Sequence, residues 1–308
     1  MSTDANALIV VQPIDITDAM LTASNVAETD YAVWSSATTY ALAARVIFTS
    51  SGTHKIYESL QASNLNKDPR TQPLWWIEVS PTNRWSAFDT TVSTQTKQAA
   101  SITYTLTPGQ AVNTIAALNI VGASSLTVTM TSPLVGGTVY TKTVDLSALP
   151  TAADWWSWFY GAKAVPTQSI LTDLPSYADC VISFTLTGGA SLALGVLMIG
   201  RQRLFGVGIK FGARVGIQDY SRKETNDFGD TILVQRSFAK RANFDIQVAR
   251  AEVDFFQNFL TEVRASPCLW IGSTVYESTT VFGFYKNFDI LISYPEHADC
   301  SLELEGLT

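Results

Sequence analysis

Strict alternation of apolar and polar residues marks the middle of the chain. Apolar side chains occupy every second position in residues 101–106 and again in residues 126–130, as in strands with one buried face. Turn-forming pairs such as Gly188-Gly189 separate these segments. Short strands at this spacing predict a β-sandwich of the jelly-roll type over residues 86–200.

The period changes in residues 201–308. Residues 242–248 alternate as a strand, and Val253, Phe256 and Leu260 then recur at the spacing of one helical face. Further strand-like segments follow the predicted helix. This order predicts a small C-terminal α+β domain.

Two shorter segments precede the sandwich. In residues 1–30, a short strand at 7–12 leads into a polar stretch with helical spacing at 16–26, which predicts an N-terminal arm. Residues 31–85 are rich in aromatic side chains and contain a predicted hairpin. A unit this small depends on aromatic rings for most of its burial. The fold class is therefore predicted to be mainly β and multidomain.

Composition narrows the range of partners. Charged residues make up 15% of the 308 residues, below the roughly 25% that is usual. The formal net charge is −7, and no dense basic field is present, so we expect no nucleic-acid partner. The longest apolar run, residues 190–199, is too short to span a bilayer, so we expect no membrane insertion. Low charge also favours burial against other subunits.

Cysteine and histidine positions argue against metal chemistry. Cys180, Cys268 and Cys300 are widely spaced, which excludes a disulfide framework and a zinc knuckle and predicts buried, reduced thiols. His54 and His297 have no nearby ligand partner, and loop or edge positions are the favoured interpretation. We predict no metal and no cofactor.

Enzyme signatures are also missing from the sequence. Gly206 and Gly208 begin a dinucleotide pattern, but Phe211 stands where its third glycine belongs. No nucleophile elbow of the form G-x-S-x-G occurs. A facing carboxylate pair would suit a glycosidase, although acids beside turn residues usually form turns. The acids in question are Asp145, Asp154, Asp173 and Asp179. We predict no catalytic residue and a protein that is not an enzyme.

The most aromatic segment is residues 154–160, with sequence Asp-Trp-Trp-Ser-Trp-Phe-Tyr. Exposed rings would stack on sugars, whereas buried rings would fill a core or a subunit interface. Aromatic side chains dominate both cores and interfaces, so the second interpretation is favoured.

Residues 31–85 resemble the small chitin- and cellulose-binding modules of the family-5/12 type. The matching positions are Trp34, Tyr40, Val46, Tyr57, Pro69 and Trp75 or Trp76. The resemblance implies a three-stranded fold stapled by aromatic rings and a candidate carbohydrate-binding set of Trp34, Tyr40, Tyr57, Trp75 and Trp76. Residues 58–63 contain no ring, where chitin binders carry exposed aromatics, so a structural spacer is the alternative. We predict that Trp34 and Tyr40 are mostly structural.

Residues 31–308 also resemble a class of phage and prophage tail proteins. The resemblance rests on segments that occur in order, at 81–85 (PTNRW), 88–89 (FD), 219–225 (DYSRKET), 227–229 (DFG), 238–241 (FAKR), 266–272 (SPCLWIG), 294–295 (YP) and 300–306 (CSLELEG). It implies a carbohydrate-module-like unit, a galactose-binding-like sandwich and a C-terminal tail domain.

The resulting hypothesis is a structural virion protein of a phage tail tip or baseplate, which anchors or forms part of the host-recognition apparatus. It would be made in the host bacterial cytoplasm and act in the virion. Predicted partners are other tail or baseplate proteins and further copies of the chain, in a trimer or larger ring, because tails are symmetric. The alternative is a receptor-binding protein for a host surface glycan, acting through the N-terminal module or the sandwich loops. A depolymerase is the least favoured alternative.

Overall fold

The computed structural model describes residues 7–50, 52–147, 154–160, 165–206, 208–225, 230–292 and 294–307. The chain is mainly β, with several antiparallel sheets, as predicted. It divides into two compact units: Met1–Ile14 with Ile199–Thr308 (unit 1), and Asp15–Met198 (unit 2). The finer division at residues 30, 85 and 200 stays a prediction.

Most regular elements of the described residues are strands. In chain order, the first are β1 (Leu8–Pro13), β2 (Leu21–Ser24), β3 (Thr39–Tyr40), β4 (Arg45–Phe48), β5 (Lys55–Ser59), β6 (Asn64–Leu65), β7 (Trp76–Pro81), β8 (Thr96–Lys97) and β9 (Ser101–Leu106). The next elements are β10 (Thr114–Ser132), β11 (Gly137–Asp145), α1 (Trp155–Tyr160), β12 (Gln168–Leu171) and β13 (Val181–Phe205). The last are β14 (Gly208–Ile209), β15 (Arg214–Asp219), β16 (Arg222–Thr225), β17 (Thr231–Val234), β18 (Phe238–Ala249), α2 (Val253–Glu262), β19 (Cys268–Ile271), β20 (Thr280–Leu291) and β21 (His297–Gly306). Three short 3-10 turns lie at Ser86–Phe88, Arg250–Glu252 and Glu277–Thr279.

Unit 1 is built on an antiparallel sheet that joins segments distant in sequence. Strand β1 lies between the last residues of β13 and strand β19, and β20, β21 and β18 continue the sheet. Residues 8–11 of β1 are fully buried, so this part of the predicted N-terminal arm forms an inner strand. The strand predicted at residues 7–12 is thereby confirmed.

Helix α2 covers the core of unit 1. Phe256 and Leu260 are buried, as the helical spacing of apolar residues predicted, and Phe259 is buried as well. The ring of Phe205 packs on Phe259, with centroids 4.8 Å apart. Trp270 is buried in the same cluster and donates its indole N–H to the carbonyl of Gly283 at 3.1 Å. The α+β character predicted for the C-terminal residues is therefore present.

Unit 2 contains the alternating strands predicted from the sequence. Strand β9 pairs with β13, placing Tyr104 opposite Phe184, and both side chains are buried. The 19-residue strand β10 pairs with β11 along one part and with β12 along another. Alternate residues of β9, of β12 and of residues 126–132 in β10 are buried, because successive side chains of a strand point to opposite faces.

The helix suggested by the spacing of residues 16–26 is wrong. The amides of Met20 and Leu21 both donate to the carbonyl of Thr17, which closes a turn. Strand β2 then pairs with β9, and Asn25 donates its side-chain amide to the Ser101 carbonyl at 2.9 Å. These pairings with β9 and with Ser101 override the local spacing, as tertiary context commonly does.

A separate three-stranded sheet, in the order β4-β5-β7, lies within residues 45–81 of unit 2. Strands β4 and β5 form the predicted hairpin, with Val46 opposite Tyr57. Its connecting turn includes residue 51, which lies outside the described residues.

Candidate functional site

Two of the five predicted carbohydrate-binding residues lie inside the small sheet. Tyr57 and Trp76 are buried with Val46 and Phe48 in one core cluster. The Trp76 indole N–H donates to the Lys67 carbonyl at 2.8 Å. Neither ring offers a free face, so stacking on a sugar would require the module to open.

The other three residues of that set are partly buried around the same core. The Tyr40 ring meets Trp76 edge-on, with centroids 5.2 Å apart, and its hydroxyl accepts the Ser35 N–H at 2.8 Å. The Trp34 ring lies 6.0 Å from that of Phe48. Trp75 is also partly buried against the cluster. These contacts are those of an aromatic staple, and sugar binding by these residues stays a prediction.

A polar, partly buried site of unit 2 centres on His54, and sequence reasoning missed it. The Nδ1 atom lies 2.7 Å from Glu28 Oε1, and the Nε2 atom lies 2.6 Å from Asp18 Oδ1. We refer to these three residues as the histidine clamp. Their separation by 26 and 36 positions explains why sequence spacing could not reveal it.

The donors and acceptors of its three side chains limit the roles that the histidine clamp can have. A neutral imidazole has one donor and one acceptor, whereas ionised carboxylates only accept. In the clamp each ring nitrogen lies within hydrogen-bond distance of one carboxylate. Because both ring nitrogens are occupied, His54 cannot act as the general base of a Ser-His-Asp triad in this arrangement.

Glu28 is the buried end of the clamp, and Asp18 is the exposed end. The Glu28 side chain is 9% exposed, and the Asp18 side chain is 48% exposed. The Thr82 hydroxyl also donates to Glu28 at 2.8 Å, and Arg84 lies 3.7 Å from the same carboxylate. The clamp therefore ties the polar segment at residues 18–28 to the small aromatic sheet.

A cleft of about 290 Å³ opens beside the clamp. Its lining includes Asp18, His54, Trp85, Phe88 and Asp89. Burial raises the pKa of Asp89, although its carboxylate accepts hydrogen bonds from the Thr94 hydroxyl and the Thr91 amide. Those bonds give Asp89 the role of a turn former.

Three of the four acids weighed as a glycosidase pair accept hydrogen bonds from other residues of the chain. Asp145 accepts bonds from Ser147, and Asp179 accepts from Ser132 and Leu134. Asp173 accepts bonds from Tyr140 and Lys142, each at 2.8 Å. Burial raises the pKa of Asp173, but the bonds from Lys142 and Tyr140 together outweigh it, so the pKa lies below its ordinary value. Asp145 therefore forms a turn, as the sequence favoured, whereas Asp173 and Asp179 bond residues that lie 31 to 47 positions away.

Helix α1 carries exposed rings. Trp155, Trp156, Phe159 and Tyr160 are between 61% and 79% exposed. They form two pairs, with the Trp156 and Tyr160 centroids 4.3 Å apart. The core interpretation of this segment is wrong for these four rings, and the subunit-interface interpretation stays open. The ring of residue 158 lies outside the described residues.

The largest group of exposed apolar residues in unit 1 lies on a long hairpin. We define residues 210–241 as the arm; it contains β15, β16, β17 and the start of β18. Every residue of β16 and β17 is exposed. The exposed apolar residues of the arm are Phe211, Val215, Ile217, Tyr220, Ile232, Leu233, Val234 and Phe238. The segment 227–229, part of the phage-tail resemblance, lies outside the described residues.

Two negative observations apply to the described part of the chain. It contains no cluster of three or more His, Cys, Asp or Glu side chains arranged to hold a metal ion. It also contains no helix of the length and hydropathy that crossing a membrane requires.

Known proteins offer few parallels to this chain. No protein-family model matches the sequence. No match was found among curated proteins. Among solved structures, the chain is similar to chitosan-binding module 1 of a chitosanase/glucanase from Paenibacillus sp. IK-5, at 18% identity over 38% of this chain and 83% of that chain. The TM-score is 0.24, so this likeness carries no weight in assigning a function.

Proposed function

We propose that this chain is a structural protein of a phage tail tip or baseplate, assembled from several copies together with other tail proteins. The observation that carries the proposal is the arm, which exposes apolar residues on β15, on β17 and at the start of β18. Groups of exposed apolar residues mark interaction sites. The ordered resemblance at residues 219–306 supports the phage-tail setting.

The geometry of the polar residues supports a role without catalysis. His54 has both nitrogens occupied by carboxylates, and Asp173 and Asp179 accept hydrogen bonds from other segments of the chain. A catalytic acid or base needs access to a substrate proton. We therefore propose that the chain acts through its contacts with other subunits. A depolymerase function is the least favoured alternative. Release of reducing ends from host polysaccharide by the purified chain would contradict this view.

Immunogold electron microscopy of particles released from the host tests the tail assignment directly. We expect gold label at the end of the tail, distal to the capsid, and the chain in the particle proteome. Absence of the chain from purified particles would rule out the proposal. Label on the capsid alone would exclude a tail position.

A glycan-binding function is the second candidate, favoured by the exposed rings of α1. Indole rings present flat apolar faces, and Trp155 and Trp156 are accessible in the isolated chain. A retention assay on immobilised host polysaccharide would distinguish this function. We expect retention by the wild type and loss of retention by Trp155→Ala/Trp156→Ala if the rings bind sugar. A matched control is Leu134→Ala, because Leu134 is also highly exposed in unit 2.

A further inference from the structure

We infer that the arm docks on a second copy of this chain. This inference rests on the proposed assembly function and names the partner of the same surface. A different tail protein and a nucleic acid are the other partners that an exposed hairpin could take, and each gives a distinct result in the association experiment.

The outer part of the arm has little to stabilise it within its own chain. Strands β16 and β17 pair only with each other among the described residues, and all eight of their residues are exposed. An isolated two-stranded hairpin is marginally stable at best in water. Its apolar side chains gain stabilisation only when another surface covers them.

The two outer strands of the arm differ in chemistry. The register places Ile232 opposite Glu224, Leu233 opposite Lys223 and Val234 opposite Arg222. Strand β17 is therefore apolar where β16 is charged. The outer edge of each strand is also unpaired within the described residues, so backbone donors and acceptors are available to a neighbour.

The distribution of charge along the chain favours a second copy as the partner of the arm. The arm holds seven of the 20 Lys and Arg residues but only four of the 27 Asp and Glu residues, a net charge of +3. The remainder of the chain holds 13 basic and 23 acidic residues, a net charge of −10. The positive arm is attracted to the negatively charged remainder of another copy, whereas two positive arms repel each other.

A second copy thus offers the arm a body of opposite net charge, and identical chains can repeat the same contact. A contact between different surfaces of identical chains is heterologous, and such contacts close into rings when the rotation allows. The predicted trimer or larger ring is consistent with this mode of association.

The test is native mass spectrometry and sedimentation of the purified full chain, at low and high salt. We expect multi-copy species whose apparent dissociation constant rises at least tenfold in Ile232→Ser/Leu233→Ser. Arg222→Glu/Lys223→Glu should weaken association at low salt, with a smaller difference at high salt because the ions screen charge. Leu134→Ser is the matched control, since Leu134 is 87% exposed and Leu233 is 77% exposed.

Circular dichroism of each variant checks that the fold persists, as expected for exposed positions. A wild type that stays monomeric at all concentrations would overturn the inference. Multi-copy species that both arm variants leave unchanged would also overturn it, as would association seen only when DNA or another protein is added. A monomeric chain that is still found in tails would leave the proposed function standing, so the two failures are distinguishable.

Discussion

The imidazole of His54 lies flat against the indole of Trp85, with ring centroids 4.3 Å apart and planes inclined by 18°. Carboxylates hold both ends of the same imidazole, at Asp18 and Glu28. Stacking and hydrogen bonding therefore fix the ring in two independent directions. This joint connects the polar segment at residues 18–28 to the small aromatic sheet.

Removing the imidazole should destabilise unit 2. We expect His54→Ala to lower the free energy of unfolding by about 2–4 kcal/mol, because it leaves the buried Glu28 carboxylate short of a partner. Asp18→Asn should cost less than about 1 kcal/mol, because Asp18 is half exposed. Urea denaturation of both variants measures the difference. Equal losses in the two variants would contradict the burial argument.

The aromatic staple should behave as a core. Trp76→Ala should cost about 3–5 kcal/mol, because Trp76 is buried in the small sheet. Leu74→Ala is the matched control, since its side chain is exposed, and it should change the stability by less than about 0.5 kcal/mol. Differential scanning calorimetry checks both values. A Trp76→Ala protein that melts like the wild type would disprove the structural interpretation.

Substitution of Trp34 distinguishes a structural role of this ring from a sugar-binding role. Its ring is partly buried against the same core, so Trp34→Ala should lower the melting temperature. A variant with unchanged melting that no longer binds host polysaccharide would reverse this assignment and give the ring a binding role.

The cysteines should be unreactive in the folded chain. Burial, the largest cause, raises the pKa of Cys268 and of Cys300 to about 12, and Cys180 is buried as well. Because the thiolate is the reactive form, we expect no fast reaction with a disulfide reagent at pH 8. After denaturation all three thiols should react. Rapid labelling of the native protein would show that at least one thiol is accessible.

Acid should weaken the turn that follows β10. The amide of Leu134 and the hydroxyl of Ser132 donate to Asp179 and hold the pKa of its carboxyl below the usual range. A carboxyl with a depressed pKa stabilises the fold above its unfolded pKa of about 3.9, and that contribution disappears as the pH falls through the folded value. The stability gap between wild type and Asp179→Asn should therefore be largest near pH 7 and shrink below about pH 4. Thermal melts across this range give the gap, and a constant gap would exclude a contribution from the charge.

The sequence was informative where local periodicity and burial agree. Residues 101–106 alternate and become β9, and the spacing of Phe256 and Leu260 becomes the buried face of α2. Both features depend on neighbours within a few positions, which a sequence displays directly. The aromatic cluster around Tyr57 likewise follows from the small size of its sheet.

Contacts between residues that are far apart in the chain could not be predicted from the sequence. Strand β1 is completed by residues about 190 positions later, with Leu8 opposite Phe205. The histidine clamp also joins distant segments, and neither Asp18 nor Glu28 belongs to a motif. The exposure of the α1 rings and of the arm could not be predicted from the sequence for a different reason. Apolar residues that another molecule covers have the same composition as core residues, so only the folded chain reveals their exposure.

A cryo-electron microscopy map of the intact particle tests the central claim, that this chain is a structural tail subunit completed by its neighbours. We predict density for several copies in a ring at the tail tip, with Leu233 and the rest of the arm buried against an adjacent copy. A map without this chain, or a ring whose arms all point freely into solvent, would contradict the account.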